Sequence, residues 1–184
     1  ALPDASFFAA GSPWFLTLFG RDSIWTARML LPVNLADAVG TLRTLAYLQG
    51  TKDDVDAAEA PGKIMHELRR EALEFGESVL PPLYFGTIDA TALWVCLFHD
   101  CWQAGMDEAV ARELVPNLRA ACAWIMDEAD ADGDGFAEYI DASGHGLANQ
   151  GWKDSGDSMR FHDGSQAAPP MALCEVQGYA HEAM

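Results

Sequence analysis

The sequence has few basic residues, no long apolar run and no signal-like amino terminus. It carries 11 Lys and Arg against 28 Asp and Glu, which gives a formal net charge of −17. Such a charge repels nucleic acid and anionic membranes, so neither is expected as a partner. No stretch approaches the roughly 20 apolar residues of a membrane-spanning helix, and the start ALPDASFF lacks the cationic region of a signal peptide. The cytoplasm is therefore the expected location.

Cysteine and the common cofactor motifs are also scarce. Cys96, Cys101, Cys122 and Cys174 lack the C-x-x-C spacing of a zinc site, and we expect buried thiols. No phosphate-binding glycine loop and no Ser-His-Asp order is present, which gives no support to nucleotide binding or acyl transfer. These patterns imply neither a metal nor another cofactor.

The apolar residues recur at intervals of three and four, which predicts an all-α protein. Asp22 or Ser23 is expected to cap the first helix, and His66 is expected to be an ordinary helical residue. Helix pairs with long loops at one end favour an α-helical toroid or bundle. The glycine-rich residues 131–170 are predicted to be a functional loop. The remaining predicted helices cover residues 34–48, 64–75, 90–104, 108–130 with a break or kink near Pro116, and 168–184.

Three loop segments combine aromatic residues, carboxylates and glycines: SPWFLTLFGRDS, LPPLYFGTIDAT and the long stretch that begins DADGDGFAEY. A sugar ring offers apolar C–H faces to aromatic side chains and hydroxyl groups to charged ones. Hydrolysis of a glycosidic bond also needs two carboxyl groups, one protonated and one ionised. A carboxylate beside an aromatic residue can be desolvated enough to stay protonated near neutral pH.

Five strings, in order, resemble the glucosidase domain of glycogen debranching enzymes, the amylo-α-1,6-glucosidases: PWFLTLFGRDS, LYFGTIDAT, DADGDGFAEY, NQGWKDSGDS and EVQGYAHEA. The resemblance covers most of the chain. It implies part of an (α/α)6 toroid over residues 1–184, with the site at the loop end. It also implies inverting hydrolysis of α-1,6 branch points in glycogen-like α-glucans, with release of glucose.

The resemblance implies roles for particular residues. Arg21 and Asp22 match the pair that binds the hydroxyls of the terminal glucose, whereas the residues alone also allow Asp22 to be a helix cap paired with Arg21. Asp154 matches the general acid, with Asp157 as an alternative three residues later. Trp152 and Lys153 would shape the pocket and position neighbouring carboxylates, respectively.

Other candidate substrate contacts have structural alternatives. Asn149 and Gln150 either bind sugar hydroxyls or satisfy backbone groups. Asp89 either binds a hydroxyl or caps the helix that it precedes. The aromatic candidates, each either a stacking platform or a core residue, are Trp14, Phe15, Tyr84 and Trp152.

The family's general base has no match in this sequence. The resemblance places it nearer the carboxyl terminus of a longer domain, so the chain is expected to be a fragment and the isolated chain to be inactive. An α-glucosidase of another linkage specificity is an alternative of the same class.

A different reading is a non-catalytic carbohydrate-binding or calcium-loop module. Asp130, Asp132, Asp134 and Gly135 fit the start D-x-D-x-D-G of a calcium-binding loop. Position twelve is Asp141, where such loops have a bidentate glutamate. The same cluster can also form tight turns without any metal.

Overall fold

The computed structural model describes residues 6–76, 78–153 and 155–184, with five helices and six short strands in those ranges. The strands are β1 (Ala9–Ala10), β2 (Thr17–Phe19), β3 (Glu67–Leu68), β4 (Leu73–Phe75), β5 (Ser78–Leu80) and β6 (Leu83–Tyr84). The helices are α1 (Gly20–Leu30), α2 (Leu35–Tyr47), α3 (Ala90–Gln103), α4 (Glu108–Asp127) and α5 (Cys174–Ala183).

The prediction of an all-α toroid is wrong, because the strands form two antiparallel sheets. One sheet has the order β1-β2-β3-β6, and β4 pairs with β5 in the other. Leu18 pairs with Leu68, and Glu67 pairs with Tyr84, so the first sheet joins segments far apart in sequence. Strands of two or three residues are too short to show alternating hydrophobicity. The fold is therefore a mixed one, of helices and small sheets.

The helix predicted over residues 64–75 is also wrong, since this segment contains β3 and β4. The backbone amide of His66 donates to the carbonyl of Tyr84, and the carbonyl of His66 accepts from the amide of Gly20. Pairing on both sides of β3 fixes the extended backbone.

Several helix ends differ from the predicted ones. Phe19 occupies the N-cap position of α1, and neither Asp22 nor Ser23 caps it, because β2 continues directly into the helix. Helix α4 continues through Pro116 without the predicted break. Helix α5 begins at Cys174, after two consecutive prolines, and not at residue 168. The predictions of α2 and α3 are confirmed, and the side chain of Asn34 caps α2.

Helix α3 is the centre of the main core. It contacts α1, α2, α4 and α5, and all its residues from Ala90 to Leu97 are buried, as its apolar circumference predicts. The indole N–H of Trp94 donates to the carbonyl of Leu42 on α2, at 3.1 Å. The buried indole N–H thus has a hydrogen-bond partner, and the bond fixes the position of α3 relative to α2.

A second apolar cluster lies under the long loop. Trp124 on α4 and Val176 on α5 pack there with Ile88, Tyr139 and Leu173. The loop of residues 131–170 contains no helix in its described parts, 131–153 and 155–170, as predicted, and this cluster anchors it to the helices.

The thiol prediction is confirmed in part. Cys96 and Cys101 are buried, Cys122 is half-buried, and Cys174 is exposed, which contradicts the expectation for that residue. Burial raises the pKa of Cys96 and of Cys101 to about 12, so both thiols stay protonated at neutral pH.

Among the described residues, none of the helices has the length and apolar character needed to cross a bilayer.

We predict that Leu42→Ala destabilises the fold by about 2–5 kcal/mol, because Leu42 is fully buried against α3 and the substitution leaves a cavity. Met29→Ala on α1 is the control, since that side chain is 73% exposed, and we expect a change within about 0.5 kcal/mol. Urea unfolding followed by circular dichroism measures both. Equal losses in the two variants would contradict this description of the core.

Candidate functional site

A cavity of about 440 Å³, which we call the main cavity, lies between the four-stranded sheet and the long loop. Its walls come from three separate parts of the sequence, at residues 10–22, 66–80 and 147–152. The aromatic side chains of Phe15, Phe19 and Trp152 share this wall with charged groups. Such a mixture suits a ligand with both apolar faces and hydroxyl groups.

Five of the residues predicted for substrate binding line this cavity: Phe15, Arg21, Asp22, Asn149 and Trp152. Their sequence separation is large, and the sheet and loop bring them together. Asp154, the residue predicted as the acid, lies outside the described residues.

Arg21 is held by a buried ion pair with Asp89. Nη1 of Arg21 donates to Oδ2 of Asp89 at 2.8 Å, and the Asp89 side chain is only 2% exposed. The other carboxylate oxygen accepts from the hydroxyl of Thr87, also at 2.8 Å. Both oxygens of Asp89 are therefore engaged, and its side chain does not cap α3. Asp89 orients Arg21, a role that differs from both sequence alternatives, and Arg21 pairs with Asp89 and not with Asp22.

His66 is a cavity residue that sequence reasoning missed. Its ring makes edge-to-face contacts with Phe19 and Tyr84, at centroid distances of 5.8 and 6.2 Å. Burial, together with the nearby charges of Arg21, Arg69 and Lys63, lowers the pKa of His66 to about 3. The imidazole is thus neutral at physiological pH, and it offers one donor and one acceptor.

Glu67 and Arg69 were also missed. Nη2 of Arg69 donates to Oε2 of Glu67 at 2.7 Å, and the guanidinium lies 5.3 Å from the ring centroid of Phe15. The only signal in the sequence is the spacing of two residues, which puts both side chains on one side of an extended segment. That signal is visible only once the segment is known to be a strand.

Asn149 organises the loop around position 154. Its Oδ1 accepts from the hydroxyl of Tyr139 at 2.9 Å, and its Nδ2 donates to the hydroxyl of Ser158 at 2.7 Å. The same Nδ2 contacts the backbone carbonyls of Lys153 and Ser155. Of the two alternatives for Asn149, the satisfaction of backbone groups is thus directly visible.

Trp152 separates the main cavity from an adjacent cavity of about 430 Å³, which Asn149, Lys153, Cys174 and Glu175 also line. The ammonium group of Lys153 lies 5.8 Å from the Trp152 ring centroid, so the two side chains form one unit. Lys153, the residue before Asp154 in the sequence, thus lies in the wall of the adjacent cavity.

The other predicted contacts lie elsewhere. Trp14 is 87% exposed, and Tyr84 is fully buried. Gln150 lines a smaller cavity of about 150 Å³ that also contains Lys63, whose pKa burial lowers to about 8. Asp157 is exposed and pairs with Arg160 at 2.7 Å.

The acidic loop can hold a metal ion, but through a different triad from the predicted one. Carboxylate oxygens of Asp130, Asp132 and Glu138 lie within 4.8 Å of one another. Asp134 instead accepts from the amide of Phe136, and Asp141 from the amides of Ser143 and Gly146. Burial and the charges of Asp132 and Asp134 raise the pKa of Glu138.

Asp130 also forms the metal-free tight turn that was the alternative interpretation of the acidic sequence. Its carboxylate accepts from the amides of Gly133, Asp134 and Gly135. The loop thus combines a tight turn with an acidic triad.

The sequence matches none of the protein-family models with which it was compared, and no curated protein matches it. The likeness to glycogen debranching enzymes therefore depends on the five sequence strings alone.

We predict that His66 makes folding stability depend on acidic pH. The pKa of His66 is about 3 in the folded chain, and its ordinary value without burial is 6.5. Between these two pH values the unfolded chain therefore binds one more proton than the folded chain. Stability is then full above about pH 6.5 and falls as the pH is lowered toward 3, by up to about 1.4 kcal/mol per pH unit.

Urea unfolding across this pH range tests the prediction. We expect His66→Gln to show a shallower pH dependence than the wild type. His99→Gln is the matched control, because the His99 side chain is 67% exposed, and its profile should follow the wild type. A wild-type slope in His66→Gln would contradict the lowered pKa of the His66 imidazole.

Proposed function

We propose that the protein is a glycoside hydrolase that cleaves α-1,6 branch points of glycogen-like α-glucans with inversion and releases glucose. The observation that carries the proposal is that separate strings of the resemblance meet at the main cavity. PWFLTLFGRDS supplies Phe15, Phe19 and Arg21, and NQGWKDSGDS supplies Asn149 and Trp152.

Two further strings supply residues that form hydrogen bonds with residues of the cavity wall. LYFGTIDAT supplies Asp89, which holds Arg21. DADGDGFAEY supplies Tyr139, which holds Asn149. Residues from strings that resemble the family in sequence are thus connected by hydrogen bonds.

The cavity chemistry favours a neutral sugar. Phe15, Phe19 and Trp152 offer apolar surface to the C–H faces of a pyranose ring. The guanidinium of Arg21 donates, and the carboxylate of Asp22 accepts, so the two can bind neighbouring hydroxyls. In this proposal Arg21 and Asp22 hold the terminal glucose, with Trp152 at its side and Lys153 in the adjacent cavity.

Asp154 is the proposed acid that protonates the leaving oxygen. A carboxylate that the resemblance places in a longer domain activates water on the opposite face of the sugar. In inverting enzymes the two carboxyl groups stand roughly 6.5–9.5 Å apart, which leaves room for that water. We propose a cytoplasmic location, which the four unpaired cysteines support.

The test is ¹H NMR of the products formed from panose and from maltotriose by the protein at its full natural length. We expect β-glucose from panose, which contains the α-1,6 bond, and loss of that signal in Asp154→Asn. Asp157→Asn is the matched control and should keep the activity, because Asp157 is exposed and paired with Arg160.

Each other outcome changes the proposal in a defined way. Preference for maltotriose would indicate another linkage specificity. Undiminished turnover by Asp154→Asn would remove Asp154 from the role of acid. A protein that hydrolyses no α-glucoside would contradict the proposed activity.

A second proposal concerns the acidic loop: a calcium-binding module, with Asp130, Asp132 and Glu138 as ligands. The supporting observation is the clustering of their carboxylate oxygens within 4.8 Å. Calcium prefers oxygen ligands in flexible geometry, and backbone carbonyls or waters can complete its coordination. The ion would also relieve the repulsion among three neighbouring carboxylates.

We predict that calcium raises the free energy of unfolding by about 2.7 kcal/mol when its concentration is a hundred times the Kd. Thermal unfolding with added calcium and with chelator measures the effect. Glu138→Gln should abolish it and Asp134→Asn should retain it, because Asp134 lies outside the cluster of three carboxylates. Loss of the calcium effect in Asp134→Asn but not in Glu138→Gln would instead support the triad predicted from sequence. A thermal stability that does not change on addition of chelator would contradict the calcium-binding proposal.

A further inference from the structure

Two buried polar atoms, on side chains of residues that line the main cavity, have no hydrogen-bond partner among the described residues. They are Oε1 of Glu67 and Nε of Arg69. The Glu67 side chain is 2% exposed and that of Arg69 is 19% exposed. Buried polar groups are nearly always satisfied in folded proteins, so a pair left over in a cavity indicates a ligand that supplies the missing partners.

The structure fixes these atoms next to each other. Glu67 lies on β3, and Arg69 comes directly after this strand. Oε2 of Glu67 and Nη2 of Arg69 form the ion pair at 2.7 Å. The amide of Arg69 donates to the carbonyl of Pro82, and Phe15 covers the guanidinium. The ion pair and the contact with Phe15 therefore hold the two side chains in place.

The chemistry of the pair selects a class of ligand group. Oε1 of an ionised carboxylate can only accept a hydrogen bond, and Nε–H of a guanidinium can only donate one. Adjacent hydroxyls of a sugar supply both, because a hydroxyl can donate to Oε1 while its neighbour accepts from Nε. The pair itself is neutral in sum, so it does not favour a charged ligand over a neutral diol.

We propose that Glu67 and Arg69 read two adjacent hydroxyls of the sugar bound in the main cavity. The proposal rests on the proposed function and names the residues that set its specificity among hexoses. A sugar that lacks either hydroxyl, or carries it in the epimeric position, leaves a buried charged group unpaired. Sites built in this way discriminate strongly against such analogues.

The experiment measures the binding of methyl α-D-glucopyranoside and its 2-, 3-, 4- and 6-deoxy derivatives by calorimetry. It uses the protein at its full natural length, with the variants Glu67→Gln and Arg69→Lys. Glu113→Gln is the matched control, because Glu113 forms an exposed ion pair with Arg43. Circular dichroism verifies that each variant is folded.

We expect the wild type and Glu113→Gln to bind two deoxy derivatives, modified at adjacent positions, about tenfold to a hundredfold more weakly than the parent sugar. Glu67→Gln should lose this discrimination at one of the two positions, and Arg69→Lys at the other. A purely structural role would weaken binding of all derivatives by the same factor and would leave the ratios unchanged.

Three results would overturn the proposal. The first is a wild-type pattern of ratios in both variants, and the second is sensitivity at two positions that are not adjacent. Both leave the proposed function intact, because the glucoside still binds. The third is a wild-type protein that binds no glucoside, which contradicts the proposed function as well.

Discussion

The buried ion pair between Arg21 and Asp89 is the constraint on which the site depends. A guanidinium at the start of α1 is placed in an interior position, where an unpaired charge is very costly. Asp89, at the start of α3, supplies the counter-charge at 2.8 Å, and Thr87 fixes the carboxylate in turn. The first turn of α1 and the first turn of the central helix are thereby joined. Removal of one partner of such a pair typically costs about 3–5 kcal/mol.

The residue before Arg21 allows the sheet to approach this ion pair. A Cβ atom at Gly20 would lie 2.2 Å from the backbone oxygen of Met65, so no larger residue fits without movement. The close approach lets the amide of Gly20 donate to the carbonyl of His66. His66 and the residues of β3 are consequently brought into the cavity beside Arg21. The small sheet therefore belongs to the site as much as the helices do.

Sequence reasoning predicted the parts of the fold that repeat over several turns. Helices α2 and α3 were recognisable because their apolar stripes extend over 13 and 14 residues. The strands were not, since two or three residues carry no period and their partners are distant in sequence. The error removed His66, Glu67 and Arg69 from consideration, because a charged helix gave no reason to place them in a cavity.

The candidate site was only partly predictable for a related reason. The sequence strings led to Phe15, Arg21, Asp22, Asn149 and Trp152, all of which line the main cavity. The strings could not show the direction of each side chain in a loop. For this reason the sequence did not reveal that Gln150 lines a different cavity and that Trp14 is exposed. It also did not reveal that Glu138, and not Asp134, completes the acidic triad. The direction of a side chain in a loop depends on backbone turns, such as the one that Asp130 forms, and not on the spacing of residues in the sequence.

The hydrogen bonds of Asn149 connect the two proposals. The acidic loop leads into Tyr139, which packs in the second apolar cluster and donates to Asn149. Asn149 in turn contacts the carbonyls of Lys153 and Ser155, the residues on either side of Asp154. An ion that rigidifies residues 130–138 would thus act on the segment that carries the proposed acid. Calcium binding and glucoside hydrolysis are then compatible properties of one loop, because the first would stabilise the backbone that the second requires.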